Sequence, residues 1–370
     1  MFESAEKPKR KGQTTYEQVG VLSNEGVGLA GLVAHVSQAN AFRSGVGRSI
    51  LPSGYFAAVL DLGHGRGLAI STDGVGTKIL VAQELGKYDT IGIDCVAMNV
   101  NDVICVGAEP ISMVDYIAVD RGDPDFLEQI GRGLLRGAEE SSINIPAGEI
   151  AQLGSMIAHA GDGVGFDLVG TCVGTVELDS IIIGQDLQPG DLVFGIRSHG
   201  VHSNGLTLAR AALIAEGGLS LGTYVEEFGR TVGEELLEPT RIYVKEAAAI
   251  RNSDIKPKAL VHITSDGFLN LTRVERPVGY VLESLPEPHP VFSLIQRLGR
   301  VPLEEMYRVF NMGIGLCVVV AGSDADKLKA ALAAVGTTCH LLGYVVEDAE
   351  RHVRLPALGL EGKGQAFQRA

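Results

Sequence analysis

Residues 71–78, STDGVGTK, combine a carboxylate, glycines, hydroxyl groups and an ammonium group directly after a predicted strand. Glycines let backbone N–H groups approach an anion, and hydroxyl and ammonium groups at a helix start can contact phosphate oxygens. A carboxylate is an oxygen ligand of the kind that Mg²⁺ prefers. The pattern favours a phosphate and metal site, the alternative being an ordinary turn with an Asp cap; the spacing is not that of a Walker loop. The candidate residues are Asp73, Gly74, Gly76, Thr77 and Lys78.

A second group of oxygen-bearing side chains lies on the helix predicted for residues 90–106. At about 100° per residue, Asn101 lies about 20° from Asp94 around the helix axis and Asp102 about 80° from it. The three side chains therefore share one side of a helix that is otherwise mostly apolar. We interpret this side as a metal-binding surface, the alternative being a solvated helix face.

Residues 198–205, SHGVHSNG, follow a predicted strand and open a helix, where free backbone N–H groups suit an anion. Ser198, Ser203 and Asn204 are candidates for binding a sugar phosphate. His202 is a candidate for the same contact or for proton transfer near neutral pH. An ordinary hydroxyl-capped helix start is the alternative interpretation.

Two further segments carry weaker indications of ligand contacts. Residues 262–267, HITSDG, resemble the first loop in composition, which makes His262, Thr264 and Asp266 candidates. Arg241 follows Pro239 at a predicted helix start, where an exposed guanidinium can bind a phosphate or cap the surface of the helix.

The elements that must position these loops alternate between strands and helices in two units. Strands are predicted at 56–61, 68–71, 111–119 and 167–177, with helices at 77–85, 90–106 and 124–141. A Pro-Gly-Asp turn near residue 190 starts a second unit, with strands at 192–196, 278–282, 314–320 and 340–346 and helices from 205 to about 215 and from 239 to 249. The prediction is an α/β (α+β) chain with a tail at 1–15 and domains at 16–180 and 181–370.

Composition excludes two classes of protein. The 370 residues include 31 Lys and Arg against 45 Asp and Glu, a formal net charge of −14, which argues against a partner that is a nucleic acid. No apolar run approaches the roughly 18 residues of a membrane span, and the first residues lack the apolar stretch of a signal peptide. We expect a cytoplasmic protein with no membrane partner.

Seven segments taken together resemble the phosphoribosylformylglycinamidine cyclo-ligases, also called aminoimidazole ribonucleotide synthetases. The resemblance runs in order over about residues 16–346. The segments are STDGVGTK at 71–78, DCVAMNVND at 94–102, GAEP at 107–110, HSNG at 202–205, EPTRIYV at 238–244, HIT at 262–264 and EEMYRVFNMGIG at 304–315.

The resemblance implies a homodimer in which N-terminal strands of both subunits form a shared β-barrel and ATP binds near it. It also implies the reaction. ATP phosphorylates the formamide oxygen of formylglycinamidine ribonucleotide, an internal nitrogen attacks the same carbon, and phosphate leaves as the imidazole closes. Such a reaction demands neutralisation of the triphosphate and positioning of the reacting ends.

The resemblance assigns roles to the candidate residues. Asp73, Asp94, Asn101 and Asp102 match the metal–nucleotide positions, where Mg²⁺ accompanies ATP, and Lys78 is their positive partner. The turn at 198–205 matches the substrate-facing turn of a C-terminal substrate-binding domain. The expected catalytic residues are Lys78, Asp94 and His202.

Two segments depart from the family pattern. GEIAQLG at 148–154 stands where the family commonly has GGETAEMP, and it keeps Glu149 as a possible Mg²⁺ ligand. HITSDG replaces HITGGG and adds Asp266, a pattern closer to the related thiamine-monophosphate kinases. The alternatives are therefore a related ATP-dependent kinase or synthetase, or a non-catalytic nucleotide-binding dimer scaffold.

Overall fold

Two large β-sheets, one in each half of the chain, organise the fold. The computed structural model describes residues 13–22, 28–157 and 163–370, so most of the predicted tail at 1–15 lies outside the described residues. None of the described helices is long and apolar enough to cross a membrane.

The first half contains a five-stranded sheet and, among the described residues, four α-helices. Its elements are α1 (Leu29–Val36), β1 (Ala58–Gly63), β2 (Arg66–Gly74), α2 (Lys78–Leu85), α3 (Ile91–Cys105), β3 (Glu109–Val119), α4 (Pro124–Ser141), β4 (Asn144–Gln152) and β5 (Phe166–Glu177). The strand order is β1-β2-β5-β3-β4. All pairs are antiparallel except β3 and β4, which run parallel because α4 carries the chain back between them.

Local sequence explains why α3 and α4 pack so closely. Asp123 caps α4 by accepting the Phe126 N–H at 3.0 Å, and Pro124 occupies the first helical position. A Cβ atom on Gly92 of α3 would lie 2.2 Å from the Leu134 backbone nitrogen of α4. Glycine is therefore required at this crossing, and it lets α3 sit deep between the sheet and α4.

The second half contains an eight-stranded sheet with the order β15-β14-β13-β10-β12-β6-β11-β9, beside a small β7-β8 pair. Its strands are β6 (Leu192–Arg197), β7 (Tyr224–Val225), β8 (Arg230–Thr231), β9 (Ala259–His262), β10 (Val278–Leu282), β11 (Ile314–Val320), β12 (Cys339–Glu347), β13 (Val353–Leu355), β14 (Leu360–Lys363) and β15 (Ala366–Arg369). Its helices are α5 (Leu206–Arg210), α6 (Val232–Leu236), α7 (Val244–Arg251), α8 (Pro290–Gly299), α9 (Leu303–Val309) and α10 (Ala325–Ala334).

The predicted elements are present, but one helix starts later than predicted and several elements are not predicted from the sequence, among them α6, α8, α9 and α10. The helix predicted from residue 239 begins only at Val244, because residues 238–243 run without helical structure along α3. Strand β4 was not predicted, since its side chains are mostly exposed and Pro146 and Gly148 are poor strand formers. Strands β13, β14 and β15 span only three or four residues and carry too little periodicity to be recognised.

Candidate functional site

The two glycine-bearing loops predicted as ligand sites meet at the seam between the halves of the chain. A Cβ atom on Gly76 would lie 3.9 Å from the Ser203 carbonyl oxygen, and the Thr77 and Thr207 hydroxyl oxygens are 2.8 Å apart. Gly76 and Thr77 are exposed, and Asn204 is partly exposed. The start of α2 and the 198–205 turn therefore line one accessible surface.

Beneath this surface, Lys78 and Asp94 form an ion pair with no exposed side-chain area. Lys78 Nζ lies 2.9 Å from Asp94 Oδ1 and also donates to the Glu238 carbonyl oxygen at 2.5 Å. Asp94 Oδ1 also accepts the Thr240 N–H and O–H, both at 2.7 Å, and the Ser203 O–H at 3.1 Å. These bonds compensate the burial of both charges and tie the two halves together.

Only one oxygen of the Asp94 carboxylate is committed to these bonds. Asp94 Oδ2 is buried and has no hydrogen-bond partner among the described residues. An unsatisfied carboxylate oxygen is costly to bury, so this atom is suited to a cation or a water molecule. Lys78, by contrast, has two of its three N–H donors bonded to Asp94 and Glu238, and its side chain has no exposed surface.

Asn101 connects α3 to the same C-terminal segment through both of its polar atoms. Its Nδ2 donates to the Arg241 carbonyl oxygen at 2.8 Å, and its Oδ1 accepts the Tyr243 N–H at 2.9 Å. The side chain is fully buried. The Asn101 amide therefore pairs with the backbone of residues 241–243 in the way that a neighbouring strand would. A metal ion bound by Asn101 would compete with these hydrogen bonds.

Asp102 and Asp73 are the partly exposed carboxylates of the site. Asp102 Oδ1 lies 2.9 Å from His262 Nδ1, and 16% of its side chain is exposed. Burial, and then the charge of Asp102, raise the pKa of Asp73 from 3.8 to about 6. Two carboxylates that repel each other in a partly buried site fit a cation, because positive charge would relieve the repulsion.

Glu149 does not join Asp73 within one chain. Across the sheet, Asp73 is in register with Gly170, Gly170 with Asp115, and Asp115 with Gly148. Glu149, the next residue of β4, therefore points to the opposite face of the sheet, about 14 Å away across three strand spacings. Strand alternation therefore contradicts the expectation that Glu149 and Asp73 belong to one set of metal ligands within a single chain. Among the described residues, no group of three His, Cys, Asp or Glu side chains is arranged to hold a metal.

Asp115 is a further carboxylate of the first sheet, which the sequence analysis does not single out. It shares the α3-facing side of the sheet with Asp73, and burial raises the pKa of its carboxyl group. The alternation of β3 would have identified it, because Met113 and Asp115 are two residues apart and therefore face the same side.

Arg241 is not the exposed phosphate contact or surface cap that the sequence analysis expected. Its guanidinium lies 2.6 Å from Glu246 Oε1, 3.2 Å from the Thr337 hydroxyl oxygen and 3.1 Å from the Arg197 carbonyl oxygen. It also stacks over the Tyr243 ring at 5.3 Å. Because α7 starts after Arg241, the side chain turns into the C-terminal half and stabilises segment 238–243.

The 198–205 turn is held from inside by Ser198 and Asn311. Ser198 Oγ donates to Asn311 Oδ1 at 2.9 Å, and Asn311 Nδ2 donates to the Gly200 and Val201 carbonyl oxygens. Both side chains are buried. Ser198 therefore shapes the turn, and Asn204 is the side chain of HSNG that reaches the accessible surface.

The 262–267 loop is likewise occupied by contacts within the protein. His262 is buried against Asp102, and Thr264 is also buried. Asp266, the departure from the family pattern, pairs with Arg273 at 2.6 Å. Its carboxylate is therefore balanced by a guanidinium of the same domain.

His202 is buried at the centre of the 198–205 turn, with 2% of the residue exposed and a backbone φ of 66°. Its Nε2 accepts the His199 N–H at 3.1 Å and the Arg241 N–H at 3.4 Å. Burial holds the pKa of the imidazole well below its usual range, and the nearby positive groups act in the same direction. His202 is therefore neutral near pH 7.

Family models match both halves of the chain. Residues 54–176 match the model described as AIR synthase related protein, N-terminal domain, and residues 188–355 match AIR synthase related protein, C-terminal domain. The chain belongs to the AIR synthase related family.

A curated relative shows how far this similarity extends. The phosphoribosylformylglycinamidine cyclo-ligase of Methanobrevibacter smithii is 44% identical over 341 residues, covering 92% of this chain and 97% of the relative.

Solved structures share the fold at much lower sequence identity. AaThiL complexed with AMPPCP and TMP aligns with a TM-score of 0.63 and 15% identity, covering 94% of this chain and 99% of that chain. The hydrogenase maturation protein HypE in complex with ATP aligns with a TM-score of 0.57 and 19% identity, covering 82% and 86%. This likeness shows that the chain shares its fold with these two proteins.

Proposed function

We propose that this chain is an ATP-dependent cyclo-ligase of de novo purine biosynthesis, which closes formylglycinamidine ribonucleotide to aminoimidazole ribonucleotide with release of ADP and phosphate. The observation that carries the proposal is 44% identity over nearly the whole length of a relative named for this activity. The meeting of the two polar loops at one seam provides a place where ATP and the ribonucleotide can react.

The reaction has two steps, both of which involve the formamide group. The formamide oxygen attacks the γ-phosphorus of ATP, and the bond from that phosphorus to ADP breaks. An internal nitrogen then attacks the formamide carbon and loses its proton to solvent, the carbon–oxygen bond breaks, and phosphate leaves with its electron pair. The protein must hold the two substrates in line and exclude water, since an activated amide in water would hydrolyse.

The N-terminal half, residues 16–180, provides the nucleotide side in this proposal. Gly76 and Thr77 present backbone N–H groups and a hydroxyl at the start of α2, where phosphate is favoured, whereas the Gly74 N–H donates to Asp73 Oδ1 at 2.7 Å. ATP binding also fits the superfamily, whose HypE member is known in complex with ATP.

The carboxylates fit Mg²⁺, which would supply positive charge to the triphosphate. Asp73 and Asp102 would hold it. Mg²⁺ is usually bound by one or two carboxylates together with substrate phosphates, so a complete protein cage is not needed.

The C-terminal half, residues 181–370, provides the substrate side. Asn204 faces the seam and is placed to contact the ribonucleotide, and Ser203 and Ser198 shape the turn that presents it. Lys78, Asp94, Asn101 and His262 act by fixing this half against α3.

We also propose that the protein is a homodimer joined through the first sheet. The face opposite α3 carries apolar residues that are 42–43% exposed in one chain: Leu62, Val114 and Tyr116. A contiguous apolar sheet face in a monomer is a typical site of association. Closure of this face by a second copy would form the intersubunit barrel.

The assay that tests the function is formation of aminoimidazole ribonucleotide from its formylglycinamidine precursor with ATP and Mg²⁺. The matched variant Asn204→Ala should raise KM for the ribonucleotide and leave ATP binding unchanged. Turnover of ATP without the imidazole product, together with phosphorylation of another acceptor, would instead identify a kinase of the superfamily. The kinase alternative is weakened by the pairing of Asp266 with Arg273.

A further inference from the structure

His202 joins two segments that approach the seam from different parts of the C-terminal half. One is the 198–205 turn, in which the His199 N–H points at Nε2. The other is segment 238–243, whose Arg241 N–H points at the same nitrogen. One acceptor atom thus receives donors from two backbone segments that lie about 40 residues apart in sequence.

The ring that carries this acceptor is fixed on its other side. A Cβ atom on Gly315 would lie 2.8 Å from His202 Cε1 and 2.0 Å from the Tyr243 hydroxyl oxygen. Gly315 of β11 therefore lets the imidazole and Tyr243 pack directly against the strand. The Tyr243 ring lies 6.5 Å from the imidazole, centroid to centroid. Little space is left for the ring to turn toward the seam.

The surroundings of the ring also oppose a positive charge on it. The titratable groups that act on His202 are Lys78, His199, His262 and His289, and each lowers the pKa further below the value set by burial. An imidazole that accepts two N–H groups at Nε2 carries its proton at Nδ1, and Nδ1 has no partner among the described residues. Nε2 is therefore occupied by two donors, and Nδ1 is buried away from the accessible surface of the seam.

We propose that His202 is a positioning residue, whose imidazole sets the distance between the 198–205 turn and segment 238–243 as a hydrogen-bond acceptor and takes no part in proton transfer. This inference rests on the proposed function only for its kinetic readout. Its structural content, a fixed neutral tautomer that links two backbone segments, can be measured without turnover.

Three variants of the full-length protein separate the two roles. Gln can place an amide oxygen close to the position of Nε2, whereas Asn tolerates the positive φ but is too short, and Ala has no acceptor. His202→Ala and His202→Asn should each lower kcat/KM for the ribonucleotide about 10- to 100-fold, mainly through KM, because two buried N–H groups lose their acceptor. His202→Gln should recover most of that loss with an unchanged pH profile.

General acid–base catalysis predicts the opposite pattern. His202→Gln would then lose kcat as deeply as His202→Ala, by about 10²- to 10⁴-fold, and a limb of the pH profile would disappear. Wild-type kinetics in His202→Ala would also overturn the proposal, because a linking acceptor cannot be removed without effect.

A nitrogen NMR measurement on the imidazole-labelled wild-type protein gives a readout independent of activity and of the folding of any variant. His202 should show a protonated Nδ1 and an unprotonated Nε2 that do not change between about pH 6 and pH 8. Titration of the ring in that range would overturn the inference. If the wild-type enzyme makes no imidazole product, the proposed function fails while this measurement still decides the role of His202.

Discussion

The side chain of Asn101 accepts the backbone N–H of Tyr243, 142 residues further along the chain, at 2.9 Å. Asp94 and Asp102 of the same helix bond to Thr240 and His262. The polar side of α3 therefore holds two C-terminal segments. This arrangement makes α3 the element that sets the geometry of the seam.

Replacement of Asn101 should destabilise the protein, and the loss should depend on which of its hydrogen bonds the new side chain cannot make. Asn101→Ala leaves the Arg241 carbonyl and the Tyr243 N–H unsatisfied and should lower the free energy of unfolding by about 1–3 kcal/mol. Asn101→Asp keeps an acceptor for Tyr243 but places a carboxylate oxygen against the Arg241 carbonyl, so its loss should be larger. Urea denaturation measures both. Equal stability of Asn101→Asp and the wild type would contradict this account.

Removal of the charge on Lys78 should lower the free energy of unfolding more than Asn101→Ala does. Lys78→Met leaves Asp94 buried without its counter-ion, which typically lowers the free energy of unfolding by about 3–5 kcal/mol. The control is Arg132→Gln on the exposed face of α4, where Arg132 pairs with Glu128 in solvent and the loss should be far smaller. Chemical denaturation of the two variants should therefore differ clearly, and similar midpoints would show that the buried pair contributes little.

The sequence predicted which segments form the site better than it predicted what each side chain does. The helical period correctly placed Asp94, Asn101 and Asp102 on one side, because that period depends on local geometry alone. The same pattern could not reveal that this side faces segment 238–243, since the contact joins residues more than 140 positions apart. Local periodicity identifies a polar face but not its partner.

Strand alternation was the signal that remained unused. The sequence pattern groups Glu149 with Asp73, but it does not identify β4 as a strand and so does not define its register. Arg241 was expected at the surface because a helix was predicted to start at Pro239. Both errors arose where a segment lacked its own periodicity and took its conformation from neighbouring elements.

Substitution of Asp73 should affect stability in a pH-dependent manner. The pKa of Asp73 is raised from 3.8 to about 6 in the folded protein, so the folded state binds a proton more readily than the unfolded state. The stability linked to this proton is present at low pH and is lost as the pH rises through 6. Asp73→Asn should therefore stabilise the protein at pH 7.5 and have little effect at pH 4. Urea unfolding at both pH values tests this, and an equal effect at the two would contradict it.

The proposed dimer interface can be tested by introducing charge on the outer face of the first sheet. Tyr116→Asp should convert the protein to a 39.0 kDa monomer in sedimentation, because a buried carboxylate without a partner opposes association. The control is Leu135→Asp on α4, where 69% of the side chain is exposed on the other side of the domain. If the wild-type protein is a monomer at micromolar concentration, the proposal of a dimer is wrong. If Tyr116→Asp is still a dimer, the proposal that this face forms the interface is wrong.

Measurements of ATP binding with and without Mg²⁺ should distinguish the role of Asp102 from that of Glu149. Asp102→Asn keeps a hydrogen-bonding oxygen near His262 but removes a negative charge beside Asp73, so calorimetry should show weaker ATP binding in Mg²⁺ and little change without it. Glu149→Gln should have a smaller effect, because Glu149 lies on the opposite face of the sheet. Unchanged affinity in Asp102→Asn would exclude this carboxylate from the metal site. An effect of Glu149→Gln as large as that of Asp102→Asn would mean that Glu149 acts on a nucleotide bound across the outer face, where a second copy would have to supply the remaining ligands.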